Sequence, residues 1–166
     1  MTNNTIINTF IFDAGGVLFE AKIRRGQRIK TILKSHGFNE ESIDNAIRLG
    51  NEFCNEFQRQ GKWISTWDEE RIYWDTFYSQ VISGLGIDNL TLKEELYHLT
   101  LYFNNCELFL EVRGVLDKLF GKYQLGVISN AFPSMDWIFD LLEIRRYFEN
   151  ITISAFVNTF KPNHDI

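Results

Sequence analysis

The stretch that most constrains this chain is Ile6-Ile7-Asn8-Thr9-Phe10-Ile11-Phe12, an uncharged apolar, β-branched and aromatic run leading directly into Asp13-Ala14-Gly15-Gly16-Val17-Leu18-Phe19. A run of this kind predicts a buried strand that delivers Asp13 to the rim of a sheet. That rim is where open α/β sheets place ligands and chemistry. Two glycines after Asp13 allow a sharp turn and a close approach of backbone amides to a ligand, which a Cβ would obstruct. An aspartate at a strand end more often caps the following turn, so Asp13 alone does not define a catalyst.

From residue 20 to about residue 105 the pattern is helical and predicts an all-helical insert. Ile29, Ile32 and Leu33 form an apolar stripe that stops at Gly37, a residue suited to the left-handed turn after a helix. A second segment opens at Asn39, carries Ile43, Ala46, Ile47, Phe53, Cys54 and Phe57 at helical spacing, and ends near Gly61. Thr66-Trp67-Asp68-Glu69 has the form of a capping box and opens a third helix with Trp74, Phe77, Tyr78 and Val81 on one face. Thr91-Leu92-Lys93-Glu94 has the same form and is expected to open a fourth. These aromatics suit packing between helices better than a ligand cage. Trp63 and Trp67 sit in or beside a loop, from which one could overhang a substrate.

A second αβ region begins near Leu108. Val115, Leu116, Leu119 and Phe120 lie on a helix closed by Gly121, and Tyr123-Gln124-Leu125-Gly126-Val127-Ile128-Ser129-Asn130 reads as a buried strand ending in two small polar residues. Ser134 is placed to cap the next helix, with Trp137, Ile138, Leu141 and Leu142 as its apolar face. Asn150-Ile151-Thr152-Ile153-Ser154 is a third strand. Strand, helix and strand in this alternation imply parallel pairing with right-handed crossovers. The fold class is therefore α/β, with residues 1–19 and 106–166 forming a parallel-sheet core and residues 20–105 a helical cap.

Charge narrows the function classes. The 166 residues carry a net charge of −5, and no basic stripe could neutralise a phosphate backbone, so nucleic acid is not an expected partner. Met1-Thr2-Asn3-Asn4-Thr5 has neither a basic region nor a small-residue cleavage site. The run after it thus reads as no signal peptide or membrane anchor, and the protein as cytoplasmic. Cys54 and Cys106 belong to no Cys-x-x-Cys or Cys/His spacing and suit reduced thiols, while His36, His98 and His164 share no metal-ligand spacing. No third glycine completes a dinucleotide fingerprint, and no Gly-x-x-x-x-Gly-Lys occurs.

Three elements in order, Asp13-Ala14-Gly15-Gly16-Val17-Leu18, Ser129-Asn130 and Lys161-Pro162, together make the chain resemble the haloacid dehalogenase (HAD) superfamily of hydrolases, in the subgroup with a helical cap between the first and second motifs. The resemblance covers almost the whole chain. It implies that Asp13 is the nucleophile, that Ser129 hydrogen-bonds the transferring group and that Lys161 offsets negative charge around the nucleophile. It further implies that Gly15, Gly16 and Asn130 help bind the substrate, and that Mg²⁺ is held by Asp13 and the Gly15 carbonyl. The implied partner is a small-molecule substrate, with a phosphorylated metabolite as first choice. These roles are chemically consistent. A carboxylate attacking an anionic phosphoryl group needs nearby positive charge, and a neutral donor such as Ser129 can meet charge as it develops.

One departure divides the expectation. Superfamily phosphatases carry a second aspartate where this chain has Gly15, and that residue protonates the leaving alcohol and then activates water. The related dehalogenases also lack an acid there and need no metal, so hydrolysis of a carbon–halogen bond is the alternative, although their characteristic aromatic is missing too. A catalytically silent phosphate-binding protein is the third reading. The resemblance also implies a further strand beside the first, ending in acids that complete the Mg²⁺ site. Ile166 follows Pro162 too closely for it, so the chain is expected to be a fragment, weakly active or inactive, with an open sheet edge that favours self-association.

Overall fold

The computed structural model describes residues 8–166, so Ile6 and Ile7 of the expected first strand lie outside the described residues. Contacts within the chain divide it into two compact units, Ala21–Asn105 and the combination of Met1–Glu20 with Cys106–Ile166.

The unit Ala21–Asn105 is helical, with α1 (Arg25–Ser35), α2 (Glu40–Arg59), α3 (Trp67–Gly84) and α4 (Leu90–Thr100). Helices α2, α3 and α4 begin where side chains satisfy the free amides of a first turn, while α1 starts after Arg24 without a side-chain cap. Asn39 Oδ1 accepts from the Ser42 amide at 2.9 Å. At Thr66 both halves of the capping box form, Glu69 N–H to Thr66 Oγ1 at 3.2 Å and Thr66 N–H to Glu69 Oε2 at 3.1 Å. The fourth helix departs from expectation, because Asn89 caps it by accepting from Leu92 N–H at 3.0 Å. Thr91 then falls inside the first turn, where its hydroxyl cannot serve as a cap.

Helices α2 and α3 approach closely because two glycines permit it. A Cβ on Gly84 would stand 2.7 Å from the Ala46 Cα, and one on Gly50 would stand 2.7 Å from the Phe77 ring. Around this contact the aromatics interlock, with Tyr73 4.9 Å from Phe57 and 5.3 Å from Phe53, and Phe77 5.0 Å from Tyr78, centroid to centroid. The expected role as helix packing therefore holds. Trp63, in the loop before α3, is exposed, and Trp67 is half-buried.

The other unit is built on a parallel sheet in the order β1 (Thr9–Phe12), β4 (Gln124–Ser129), β5 (Asn150–Ile153). Thr9 is level with Gln124 and Phe12 with Val127, while Val127 is level with Ile151. Two short strands, β2 (Phe19–Ala21) and β3 (Cys106–Leu108), pair separately where the chain leaves and re-enters this unit. The sequence reading does not contain them, since three residues are too few to show a period of two. Helices α5 (Val112–Leu119), α6 (Met135–Leu141) and α7 (Ser154–Val157) complete the unit. Its core gathers Phe19, Leu116, Leu125, Val127, Ile138, Phe139 and Ile153.

Two expectations are corrected in this unit. The first strand is not buried: Ile11 is 63% exposed and Phe10 37%, because β1 has β4 as its only strand neighbour among the described residues and stands at the sheet edge. On α6 the buried pair is Ile138 and Phe139, while Trp137 and Leu141, which share the opposite face at i and i+4, are exposed. Ser134 stands at the N-cap of α6, but its side chain makes no cap hydrogen bond. Neither cysteine forms a disulfide, and both are half-buried. No helix among the described residues is long and apolar enough to cross a membrane.

Candidate active site

Parallel pairing brings the expected site residues to one end of the sheet. Phe12, the last residue of β1, is level with Val127, so Asp13 emerges beside Ile128 and Ser129 closes β4 one residue further on. Ser129 is buried. The loop after Asp13 is tight: Leu18 N–H reaches the Ala14 carbonyl at 2.8 Å and Gly16 N–H the Phe19 carbonyl at 2.9 Å. Gly16 takes a left-handed conformation, φ +78°, which an L side chain would resist. Because its amide is engaged by Phe19, Gly16 contributes a conformation to the loop, and Gly15 is the glycine whose N–H makes no bond within it.

Asp13 is held on both oxygens. Its Oδ1 accepts from Ala14 N–H at 2.8 Å, which is the capping contact an aspartate at a strand end makes by default. Its Oδ2 lies 2.9 Å from Lys161 Nζ. The same ammonium donates to the Ile128 carbonyl at 2.9 Å, so the cation is fixed between the end of β4 and the carboxylate.

Lys161 is 31 residues beyond Asn130 in sequence, and Asn130 is what holds it there. Asn130 Oδ1 accepts from Lys161 N–H at 2.7 Å, and Asn130 Nδ2 donates to the Lys161 carbonyl at 3.0 Å. This two-point grip mimics a strand pairing and fixes the lysine's backbone. Asn130 therefore positions Lys161, a part that composition and order in the sequence do not reveal. Ser154 adds a second tie, accepting from Ala131 N–H at 3.0 Å and donating to the Ala131 carbonyl at 3.3 Å. Its place at the close of the third strand is the only sequence signal for it.

The arrangement offers a half-exposed carboxylate, a compact cation in contact with it and a serine hydroxyl at the end of the adjacent strand. A nucleophile so placed can attack an electrophilic centre while the ammonium offsets charge. Its fit to a divalent cation is poor. Among the described residues no group of three His, Cys, Asp or Glu side chains could hold a metal, and Asp13 already accepts from Lys161 and from Ala14. One carboxylate and backbone carbonyls make a weak site even for an ion that keeps several waters, so no step below is routed through a metal.

No family model and no curated protein matches the chain. Solved structures do. The HAD-hydrolase YfnB of Bacillus subtilis, bound to magnesium, superposes with a TM-score of 0.59 at 14% identity, over 97% of this chain and 69% of that one. The L-2-haloacid dehalogenase of Xanthobacter autotrophicus gives 0.54 at 16% identity, over 96% of this chain and 62% of that one. A HAD-superfamily hydrolase of subfamily IA from Geobacter sulfurreducens gives 0.52 at 23% identity, over 98% and 70%. The chain thus spans between 62% and 70% of the length of these structures. At these identities the likeness establishes the fold, a HAD-like parallel α/β core with a helical insert.

Proposed function

We propose that this chain is a HAD-type hydrolase, with Asp13 attacking a small phosphorylated metabolite. The observation that carries the reading is the 2.9 Å contact of Asp13 with Lys161 at the carboxyl end of the sheet, beside the buried Ser129. A carboxylate oxygen of Asp13 adds to phosphorus, the bond from phosphorus to the leaving oxygen breaks, and the leaving group departs with the electron pair. Water then attacks phosphorus of the aspartyl phosphate, releasing phosphate and restoring the carboxylate. Lys161 offsets charge on the incoming phosphoryl group, Ser129 donates to one of its oxygens, and the Gly15 N–H would do the same.

Gly15 favours a second reading. Without a carboxylate at that position nothing in the loop protonates a leaving alkoxide, a contribution typically worth about 10²–10⁴ in rate. Groups that leave as weak bases are therefore preferred, acyl phosphates among phosphates and halides among carbon substrates. In the halide case Asp13 attacks carbon, the carbon–halogen bond breaks with its electrons on the halide, and water hydrolyses the resulting ester.

The deciding experiment compares phosphate release from acetyl phosphate and p-nitrophenyl phosphate, with and without Mg²⁺, against halide release from a 2-haloacid without metal. Whichever activity is found, Asp13→Asn should reduce it by on the order of 10³-fold or more, because the amide is not a competent nucleophile. Activity retained within a few-fold would remove Asp13 from the mechanism. Phosphate binding with no turnover of either class would leave the silent binding protein.

A further inference from the structure

The helical unit holds a cation that the proposed hydrolysis does not use. Arg25 opens α1, and its guanidinium carbon stands 3.4 Å from the centroid of the Trp74 ring. Its Nε is closed off from solvent and meets no acceptor. Its terminal nitrogens also meet no acceptor among the described residues, yet they are not closed off. The titratable groups around it are Tyr78, Cys54, Tyr73 and Glu70; burial pushes the two phenols and the thiol further up, so they are neutral near pH 7 and Glu70 is the one carboxylate among them. The buried Glu70 carboxylate accepts from the Trp74 indole N–H at 3.3 Å, and the first turn of α1 contains no acidic residue.

Arg28, one turn later, shows how this unit satisfies the terminal nitrogens of an arginine with a purely structural part, its Nε being closed off like that of Arg25. It is buried, and its terminal nitrogens donate to the Ile23 carbonyl at 2.5 Å and the Thr100 carbonyl at 2.9 Å. Arg25 has the stacking without the acceptors. A guanidinium carries five N–H donors in a fixed fork that matches the oxygens of a carboxylate or phosphoryl group. Desolvation on an indole face strengthens its pull on an anion.

We propose that Arg25 is an oxyanion-recognition residue of the helical unit. Its face rests on Trp74, and its terminal nitrogens take, end-on, the oxygens of a carboxylate or phosphoryl group carried by a small molecule. The proposal stands apart from the chemistry at Asp13, and either can fail without the other.

The test follows the Arg25 side chain directly, in proton–nitrogen correlation spectra of the full chain. Its Nε–H signal is shifted by the indole ring beneath it and is assigned by its loss in Arg25→Gln. Sodium acetate and inorganic phosphate are titrated in separately at constant ionic strength. The expected result is a saturable displacement of the Arg25 signal by at least one of the two, with a dissociation constant around ~1 mM, while the Arg28 signal stays still. Arg25→Lys keeps the charge and loses the planar fork, so calorimetry should show binding about tenfold weaker. Phosphate held only at Lys161 would leave the Arg25 signal unmoved, and that outcome overturns the proposal. So does a shift that rises linearly with anion and equals that of the exposed Arg48. Should Arg25→Gln fail to fold, Arg25→Lys supplies the assignment and the titration of the unaltered chain decides.

Discussion

Gly15 sets what the site can expel, and it is the position at which one added side chain is most informative. Placing a carboxylate there restores an acid next to the leaving group. Gly15→Asp should therefore raise hydrolysis of an alkyl phosphate by about 10²–10⁴, and that of acetyl phosphate much less, because acetate needs no proton to depart. A fall for both substrates, with the circular dichroism spectrum unchanged, would mean that the pocket has no room for a second carboxylate. Asp13, Ser129 and Lys161 were legible in the sequence as candidates because their three segments, in order, resemble the HAD motifs, whereas each alone reads as a cap or a surface amine. The part played by Asn130 was not. Its bonds run to the backbone of Lys161, 31 residues away, and only the folded chain determines which backbone a side-chain amide meets.

At the scale of elements, glycine has opposite meanings in different helices. The Gly84 Cβ position is filled by the backbone of Ala46, whereas nothing lies within 4 Å of that of Gly114 in α5. Gly84→Ala should cost about 1–3 kcal/mol by forcing α2 and α3 apart, and Gly114→Ala should add about 0.5–1 kcal/mol by restricting the unfolded chain. Urea denaturation of both variants checks the pair, and a change of the same sign in both would remove the packing argument. The start of α3 gives a pH dependence. Amide and hydroxyl donors of Ser65, and then of Thr66, hold the Glu69 carboxyl below its ordinary value. A depressed native value means the stabilisation is complete above the ordinary carboxylate range, roughly pH 4.3, and is lost as pH falls through the lowered value. Glu69→Gln should thus be less stable than the parent at pH 7 and equal to it at pH 2, as read by thermal melts. This cap was visible in the sequence since both partners lie within one turn. The cap of α4 was misplaced because Asn89 and Thr91 compete within two residues, and backbone conformation decides between them.

For the molecule as a whole, the open edge of β1 carries the main consequence. Ile11 and Phe10 are exposed on an edge strand without charge, the kind of surface that recruits another strand. We expect the chain to self-associate through it, with a sedimentation coefficient that rises with concentration and falls back to the monomer value in Ile11→Lys. Concentration-independent sedimentation of the parent chain would refute this. The apolar run predicts the strand but reads it as buried, because runs report a strand's character and not which neighbours reach it; the open edge was expected from the resemblance alone.

Parallel pairing across the insert also sets the order in which this chain can assemble. Thr9 and Gln124, partners at the start of the sheet, are 115 residues apart. Closing so long a flexible loop costs ~4 kcal/mol of chain entropy by (3/2)RT ln n. If α1 to α4 condense first, through contacts local in sequence, the flexible remainder shrinks to roughly 30 residues and the cost falls by about 1 kcal/mol. The helical unit then acts as a splint for the sheet's longest-range contact, so a lesion between α2 and α3, such as an alanine at Gly84, would also slow the arrival of Asp13 beside β4. The nucleophile would be among the last parts of the molecule to reach its place.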